Sequence, residues 1–356
     1  VSAVAEFVSL EALRRAAPEW AELCARACEP HPFADPAFLL PLIAYEKPRV
    51  RFVLAREAGR LIGFSALRTP LLGLASVWMS GYAALPACAF DAERADVAVA
   101  ALRTLLVERT RLSGVVFGFV EREGALAGAL RAAGPVVVAG GTQRAALKLA
   151  GVAAFEASLN PKRAAKWKRQ LRKLSSQGKF EATSGPEQIE AFFEVEPRGW
   201  KGARGTALAD DPARLAFARA ALGAFAEAGR LDAMALRLDG KPLAAGLVLK
   251  AGARAFYWKT AYDEAFAEAS PGVQLTLLHS RRLAQTPGLA WVDSCAREDH
   301  PMIGRVWGDA LTFEDLALAL RSKRALGIWL GLGRLKARGR EAVKGAVNRR
   351  MGRKSV

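Results

Sequence analysis

Residues 232–260 read DAMALRLDGKPLAAGLVLKAGARAFYWKT. Three runs of strand length, 232–238, 242–250 and 255–260, are separated by Asp239-Gly240-Lys241 and Ala251-Gly252-Ala253. Each link contains the glycine that a tight hairpin needs for its positive φ, so the stretch predicts an antiparallel three-stranded meander. A helical pattern over 271–284 and an apolar strand over 290–295 follow it. A meander leading into one helix and one further strand is mixed α+β, in contrast to the strictly alternating pattern of a doubly wound nucleotide-binding fold.

The same order extends outward in both directions. Upstream, 180–183 reads as a short strand, 186–196 as a helix, and 211–228 as a longer helix opened by Asp210-Asp211-Pro212. Downstream, a helix near 301–307 and a strand near 311–313 complete the half. The first half repeats the succession: a helix over 10–27, a second starting at Asp35-Pro36, strands 51–56 and 61–68 joined by Glu57-Ala58-Gly59-Arg60, a strand near 76–80, a helix over 93–109, a strand over 115–120, a helix over 121–132 and a strand near 135–138. The length of 356 residues suits two cores rather than one. The expected organisation is a first unit over 1–150, a second over 151–320 and a tail over 321–356.

The net charge of +17 comes from 52 Lys and Arg against 35 Asp and Glu, and it is concentrated. Residues 321–356 hold twelve cations and one acid, and residues 162–179 hold eight cations and no acid, which leaves the rest of the chain at −2. Nucleic-acid binding along the whole chain is therefore not expected. On a helix, Lys162, Lys166, Arg169 and Lys173 share one face, either a row for a phosphate-bearing partner or a solvated surface. In the tail, the apolar stretch 325–332 with Trp329 precedes Arg334, Lys336, Arg338 and Arg340, the composition of a helix lying on an anionic membrane, or of a disordered basic segment. No apolar run reaches spanning length, and the opening residues lack a basic stretch followed by an apolar one; a cytoplasmic location, with contact to the inner membrane face through the tail, is the expectation. Four cysteines without CxxC spacing and three histidines predict neither zinc nor a disulfide framework.

Particular blocks carry a family resemblance. Gly199-Trp200-Lys201-Gly202-Ala203-Arg204-Gly205-Thr206-Ala207-Leu208, Lys259-Thr260-Ala261-Tyr262-Asp263-Glu264, Ser270-Pro271-Gly272, Asp293-Ser294-Cys295, Asp299-His300-Pro301-Met302 and Trp307 occur in that order. They resemble the bacterial acetyltransferases linked with cellulose biosynthesis (CelD/BcsL type), within the GCN5-related N-acetyltransferase superfamily. The doubled arrangement is similar to that of the FemAB peptidyltransferases. The resemblance spans about 160–310; the first half matches in element order alone. It implies two tandem acyltransferase-like units, each a mixed, mostly antiparallel sheet flanked by helices. It also implies transfer of an acyl group from acetyl-CoA or another acyl-CoA to an amine or hydroxyl of an amino sugar or other envelope or exopolysaccharide precursor. Two alternatives accompany it: an aminoacyl-tRNA-dependent FemAB-like transferase, and a non-catalytic accessory protein of a polysaccharide synthase.

Acyl transfer from a thioester needs oxyanion donors, a proton acceptor for the nucleophile and a donor for the leaving thiolate. Backbone amides near Lys259, Thr260 and Ala261, where two strands would part, are the candidate oxyanion donors. Ser270, Pro271, Gly272, Val273 and Gln274 would form a helix start for the cofactor diphosphate, with Ser270 as cap, Pro271 in the first turn and Gly272 giving close approach; the duller reading is an ordinary helix start. Tyr262 is the candidate acid or thioester anchor, and Asp263, Glu196 and His300 are candidate bases. Trp200 and Lys201 would line the acceptor pocket, with Asp293 and Trp307 beside it. Each has a structural rival: Trp200 as a core anchor, Asp263 and Asp293 as turn or cap residues, His300 as a helix start. The first unit offers no second copy of these blocks and is read as a pocket wall.

Overall fold

The computed structural model describes residues 2–68, 73–199, 202 and 204–331. The first half contains β1 (Val4–Val8), α1 (Leu10–Arg15), α2 (Ala17–Ala25), α3 (Pro36–Glu46), β2 (Arg51–Glu57), β3 (Arg60–Arg68), β4 (Leu74–Val77), β5 (Cys88–Phe90), α4 (Ala95–Arg109), β6 (Gly114–Glu121), α5 (Ala125–Ala133) and β7 (Val136–Lys148). The second contains α6 (Val152–Ser158), α7 (Pro161–Ser175), β8 (Phe180–Ser184), α8 (Gln188–Val195), α9 (Pro212–Glu227), β9 (Leu231–Leu238), β10 (Lys241–Ala251), β11 (Arg254–Tyr262), α10 (Pro271–Leu283), β12 (Trp291–Asp293) and β13 (Asp309–Ala319).

The predicted meander is β9-β10-β11. Asp239 and Gly240 take φ of 49° and 77°, the two left-handed positions of a hairpin whose twist matches its strands. Ala58 and Gly59, at 49° and 83°, do the same between β2 and β3. Asp35 and Asp211 cap α3 and α9 through bonds to Ala37 N and Arg214 N, with proline next in each case. The helix expected over 10–27 divides into α1 and α2 at Ala16, one residue before Ala17-Pro18. The helix expected near 301–307 is a 3-10 turn, Ile303–Arg305.

All the strands join one mostly antiparallel sheet in the order β1-β2-β3-β4-β6-β13-β7-β12-β11-β10-β9-β8, with β5 paired to β3. Among the described strands, only β4 with β6 and β11 with β12 run parallel. The centre of this order departs from the sequence expectation. The short strands expected near 135–138 and 311–313 are β7 and β13, thirteen and eleven residues long, and they change places. The last strand of each half stands against the preceding strand of the other half: β13 on β6, and β7 on β12.

Polar residues at this joint hid its length. Asp315 of β13 places its carboxylate where a Cβ on Gly140 would stand, 2.8 Å from that position. It accepts the amide of Phe119 at 3.1 Å, and Phe119 sits at φ 51°. A Gly-Gly-Thr-Gln-Arg run that looks like a loop is thus strand backbone shaped around the half-buried Asp315 carboxylate. Arg144 of β7, 4% exposed, donates to both oxygens of Asp293 on β12 at 3.0 and 3.3 Å and to Ala84 O at 2.9 Å, and its guanidinium lies over Phe119 and Phe313.

Apolar packing closes the two halves on each other. Phe38 of α3 meets Phe217 of α9 and Trp258 of β11 edge-on at 5.6 and 5.5 Å, and Phe33 meets Phe256 at 5.7 Å. Each such pair contributes about 1 kcal/mol beyond area burial. Residues 323–331 are helical and set Leu326, fully buried, against Ala317 and Ala319 of β13. The start of the tail therefore docks on the sheet; residues 332–356 lie outside the described residues. Among the described residues no helix is long and apolar enough to cross a membrane.

Burial pushes the Glu29 carboxyl up to about 7, although it accepts the Leu126 amide at the start of α5. A carboxyl held above its unfolded value favours the folded state most below the unfolded pKa, and that advantage is lost as pH rises through 7. Glu29→Gln should therefore stabilise the protein at pH 8 by about 2–3 kcal/mol and have little effect at pH 4. Urea denaturation at the two pH values checks this; equal effects at both would contradict it.

Candidate active site

β11 and β12 pair for three residues, from Arg254 opposite Trp291 to Phe256 opposite Asp293, and then part. β12 stays with β7, since Ser294 N bonds Ala145 O at 3.2 Å. β11 stays with β10 as far as Tyr262 opposite Ala244, with Trp258 as the extra residue of a bulge opposite Leu247 and Val248. The divergence opens a cleft of ≈ 570 Å³. Its walls are Tyr257 to Thr260 and Tyr262 of β11, Ser294 to Ala296 after β12, Gly272 and Val273 of α10, the turn from His300 to Ile303 with Arg305, and Lys166 and Trp167 of α7.

Strand alternation fixes which amides face the cleft. Asp263 N bonds Leu243 O on β10 at 2.8 Å. Ala261 and Lys259, two and four residues back, turn their amides the same way, so those of Thr260 and Tyr262 face the edge that β12 has left. Within 259–261, it is the Thr260 amide that the alternation turns toward the cleft. Unpaired amides fixed in a strand are the preorganised donors that a developing oxyanion requires.

The start of α10 reaches the cleft, but not as the sequence suggested. Ser270 is left-handed, φ 53° and ψ 53°, and makes no capping bond; its hydroxyl accepts from Gln170 Nε2 of α7 at 3.1 Å. A Cβ on Gly272 would stand 3.0 Å from Tyr262 Cδ1 and 3.3 Å from Met302 Sδ. The glycine makes room for the Tyr262 ring. Pro271 occupies the first turn as expected. Gln274 is buried and donates to Trp167 O at 2.9 Å, binding α10 to α7. The positive helix end thus sits beside Tyr262, with Lys166, Lys259 and Arg305 along the cleft. Lys259 lies over Trp258 and over Tyr82 of the first half, 5.5 and 5.7 Å from the ring centroids.

Of the expected bases, His300 lines the cleft. Its Nδ1 accepts from Ile303 N at 3.3 Å, the bond of a turn start, and burial lowers its pKa. Asp263 is not in the cleft wall: it caps the turn after β11 through Ala265 N at 2.9 Å and approaches Arg198 at 3.7 Å. Glu196, 3% exposed, accepts Leu208 N at 2.7 Å. Asp293, expected beside the acceptor, is the buried partner of Arg144 and accepts Cys295 N at 2.7 Å. Trp307, also expected there, is a core side chain whose indole donates to Ser280 Oγ at 2.9 Å. Ala261 packs into the interior shared by the two halves. Trp200 and Lys201 lie outside the described residues. Cys295 at φ 53° and Met302, which stand in the quoted blocks without an assigned role, line the cleft, as does Trp167, the aromatic residue amid the cations of 162–173.

The first half has an equivalent parallel pair in β4 and β6. There the start of α4 is preceded by Asp91, 1% exposed, which accepts Glu93 N at 3.0 Å and holds Arg26 and Arg60 at 2.8 Å each. The chain's own carboxylate occupies the ground next to that helix start. Although burial opposes it, these bonds keep the Asp91 pKa below its ordinary value.

No curated protein matches the chain. Among solved structures, the fold is similar to that of FemX, at 12% identity and TM-score 0.56 over 88% of this chain and 97% of that one. It is also similar to the C-terminal domain (DUF2156) of a putative lysylphosphatidylglycerol synthetase from Agrobacterium fabrum, at 14% and 0.53 over 90% and 96%. A conserved protein of unknown function from Bacteroides thetaiotaomicron aligns at 12% and 0.51 over 88% and 99%. In sequence, residues 161–300, which contain the helix start of α10 and the parting strands, match the family described as the acetyltransferase (GNAT) domain.

Proposed function

We propose that the chain is an acyl-CoA-dependent acyltransferase whose donor enters the cleft between β11 and β12. The observation that carries this reading is the parting of those strands, which leaves the Thr260 amide without a β12 partner beside a cleft that also exposes the start of α10. The diphosphate would lie at that helix start among Lys166 and Arg305, and the thioester carbonyl at the Thr260 amide. Tyr262 would anchor the sulfur end. The first half, with Asp91 beside its own helix start, would serve as a wall and contribute Tyr82. The acceptor we assign is an amino sugar or related envelope precursor, on the strength of the family resemblance, with the basic segment after residue 331, rather than the docked start of the tail, holding the enzyme to the inner membrane face.

A second reading, transfer from aminoacyl-tRNA, is favoured by α7, whose Lys162, Lys166, Arg169 and Lys173 are all exposed, with Lys166 in the cleft wall. A thermal shift separates the two. Acetyl-CoA at 100 times its dissociation constant should stabilise the protein by about 2.7 kcal/mol, and tRNA should leave it unchanged. Stabilisation by tRNA alone would reverse the choice; no shift with either, together with no thiol release, would favour a non-catalytic role. Tyr262→Phe should lower turnover at least tenfold (about 1.4 kcal/mol), whereas Asp263→Asn, on a turn outside the cleft, should keep it within about threefold.

A further inference from the structure

Acyl transfer moves a proton off the attacking amine or hydroxyl and puts one on the departing sulfur. With Asp263 and Glu196 outside the cleft wall and His300 Nδ1 engaged at a turn, the ionisable groups packed behind the wall come into question. His279 of α10 is 0% exposed, and its Nε2 lies 3.0 Å from Asp232 Oδ1. In a neutral ring that directs its Nε2 hydrogen at this carboxylate, Nδ1 keeps its lone pair. That Nδ1 is buried without a hydrogen-bond partner. A buried acceptor left unmatched is uncommon and calls for a reason.

The reason lies at Gly246 on β10. A Cβ there would stand 3.3 Å from His279 Nδ1 and 3.3 Å from Tyr257 Oη. The missing side chain lets both polar atoms converge on one small space, and Tyr257 is itself part of the cleft wall. Its hydroxyl has Thr276 Oγ1 at 3.4 Å, and the Thr276 hydroxyl donates to Gly272 O at 2.9 Å. On the far side, Asp232 accepts Arg282 Nε at 3.0 and 3.1 Å, with Arg282 about half exposed. The series runs from the protein surface to the cleft.

We propose that Asp232, His279 and Tyr257 form a proton relay for the acyl transfer inferred above, on which it rests. As the acceptor attacks the thioester carbon, Tyr257 Oη takes its proton and passes its own to His279 Nδ1 through one water beside Gly246. The imidazolium is held by Asp232. When the C–S bond breaks, the proton returns along the same path to the sulfur; free thiol leaves, and His279 and Tyr257 regain their starting states. Tyr257 meets the substrate, while His279 and Asp232 act through it as positioning residues.

The test is thiol release from acetyl-CoA with a panel of amino sugars, using the full chain and Tyr257→Phe, His279→Gln and the double variant. Glutamine can keep the bond to Asp232 and lacks the second ring nitrogen. Each single change should lower kcat at least 30-fold with KM for acetyl-CoA within threefold, and the double variant should be no slower than the worse single one, because members of one relay are not additive. A single variant within threefold of wild-type kcat, or losses that multiply, would overturn the relay. Should His279→Gln not fold, Tyr257→Phe and Gly246→Ala, which fills the shared space, decide on the same terms. An inactive wild type would remove the acyltransferase reading itself, whereas an active wild type with unaffected variants removes only the relay.

Discussion

Replacing Arg144 with methionine is expected to destabilise the protein by about 3–5 kcal/mol, the range found when one partner of a buried ion pair is removed. Both members are almost out of water, 4% exposed for Arg144 and 0% for Asp293, so the remaining carboxylate has little solvent to turn to. The loss should exceed that of a surface pair because Arg144 also satisfies Ala84 O in the first half. Arg144→Met with Asp293→Asn should recover at least half of the deficit, since the amide carries no charge and can still accept from Cys295 N. Equilibrium urea denaturation of both variants measures this. A loss below 1 kcal/mol for Arg144→Met would show that water reaches Asp293.

Thr260→Pro should lower kcat by about 10²–10³-fold, the usual effect of removing one oxyanion donor. The substitution removes the amide on the cleft side. It leaves the β10 side intact, because the amides that bond β10 belong to residues 259, 261 and 263 in the alternation set by Asp263. Proline is tolerated where a strand amide faces a free edge. Thr260→Ala serves as the control, retaining the amide and most of the rate. Calorimetric affinity for acetyl-CoA should stay within threefold in both. If Thr260→Pro turns over within fivefold of wild type, the oxyanion is held elsewhere.

The meander could be read from its sequence because its turns carry explicit glycine chemistry and its strands are almost wholly apolar. Asp35 and Asp211 were legible as caps for a similar reason: capping is local. The joint was not legible. β7 is interrupted by Gly140-Gly141-Thr142-Gln143-Arg144, and only the distant Asp315 and Asp293 make that composition suitable for a strand. Asp263 and His300 fell where alternative structural readings had been weighed, as turn residues, and their bonds to Ala265 N and Ile303 N are of that local kind. Trp307 and Asp293 lie close in sequence to cleft residues but point into the interior, a distinction that requires knowing which strand lies alongside. His279 gave no signal, since its relation to Asp232 and Gly246 spans two strands and a helix.

The trading of places by β7 and β13 bears on how the chain matures. During synthesis, the first half emerges with a vacancy beside β6 that is filled only after roughly 170 further residues have been added, a wait on the order of 10–30 s at ordinary elongation rates. Throughout that interval β6 presents an open ladder to whatever is nearby, so the newborn polypeptide should depend on chaperone cover more than its finished form would suggest.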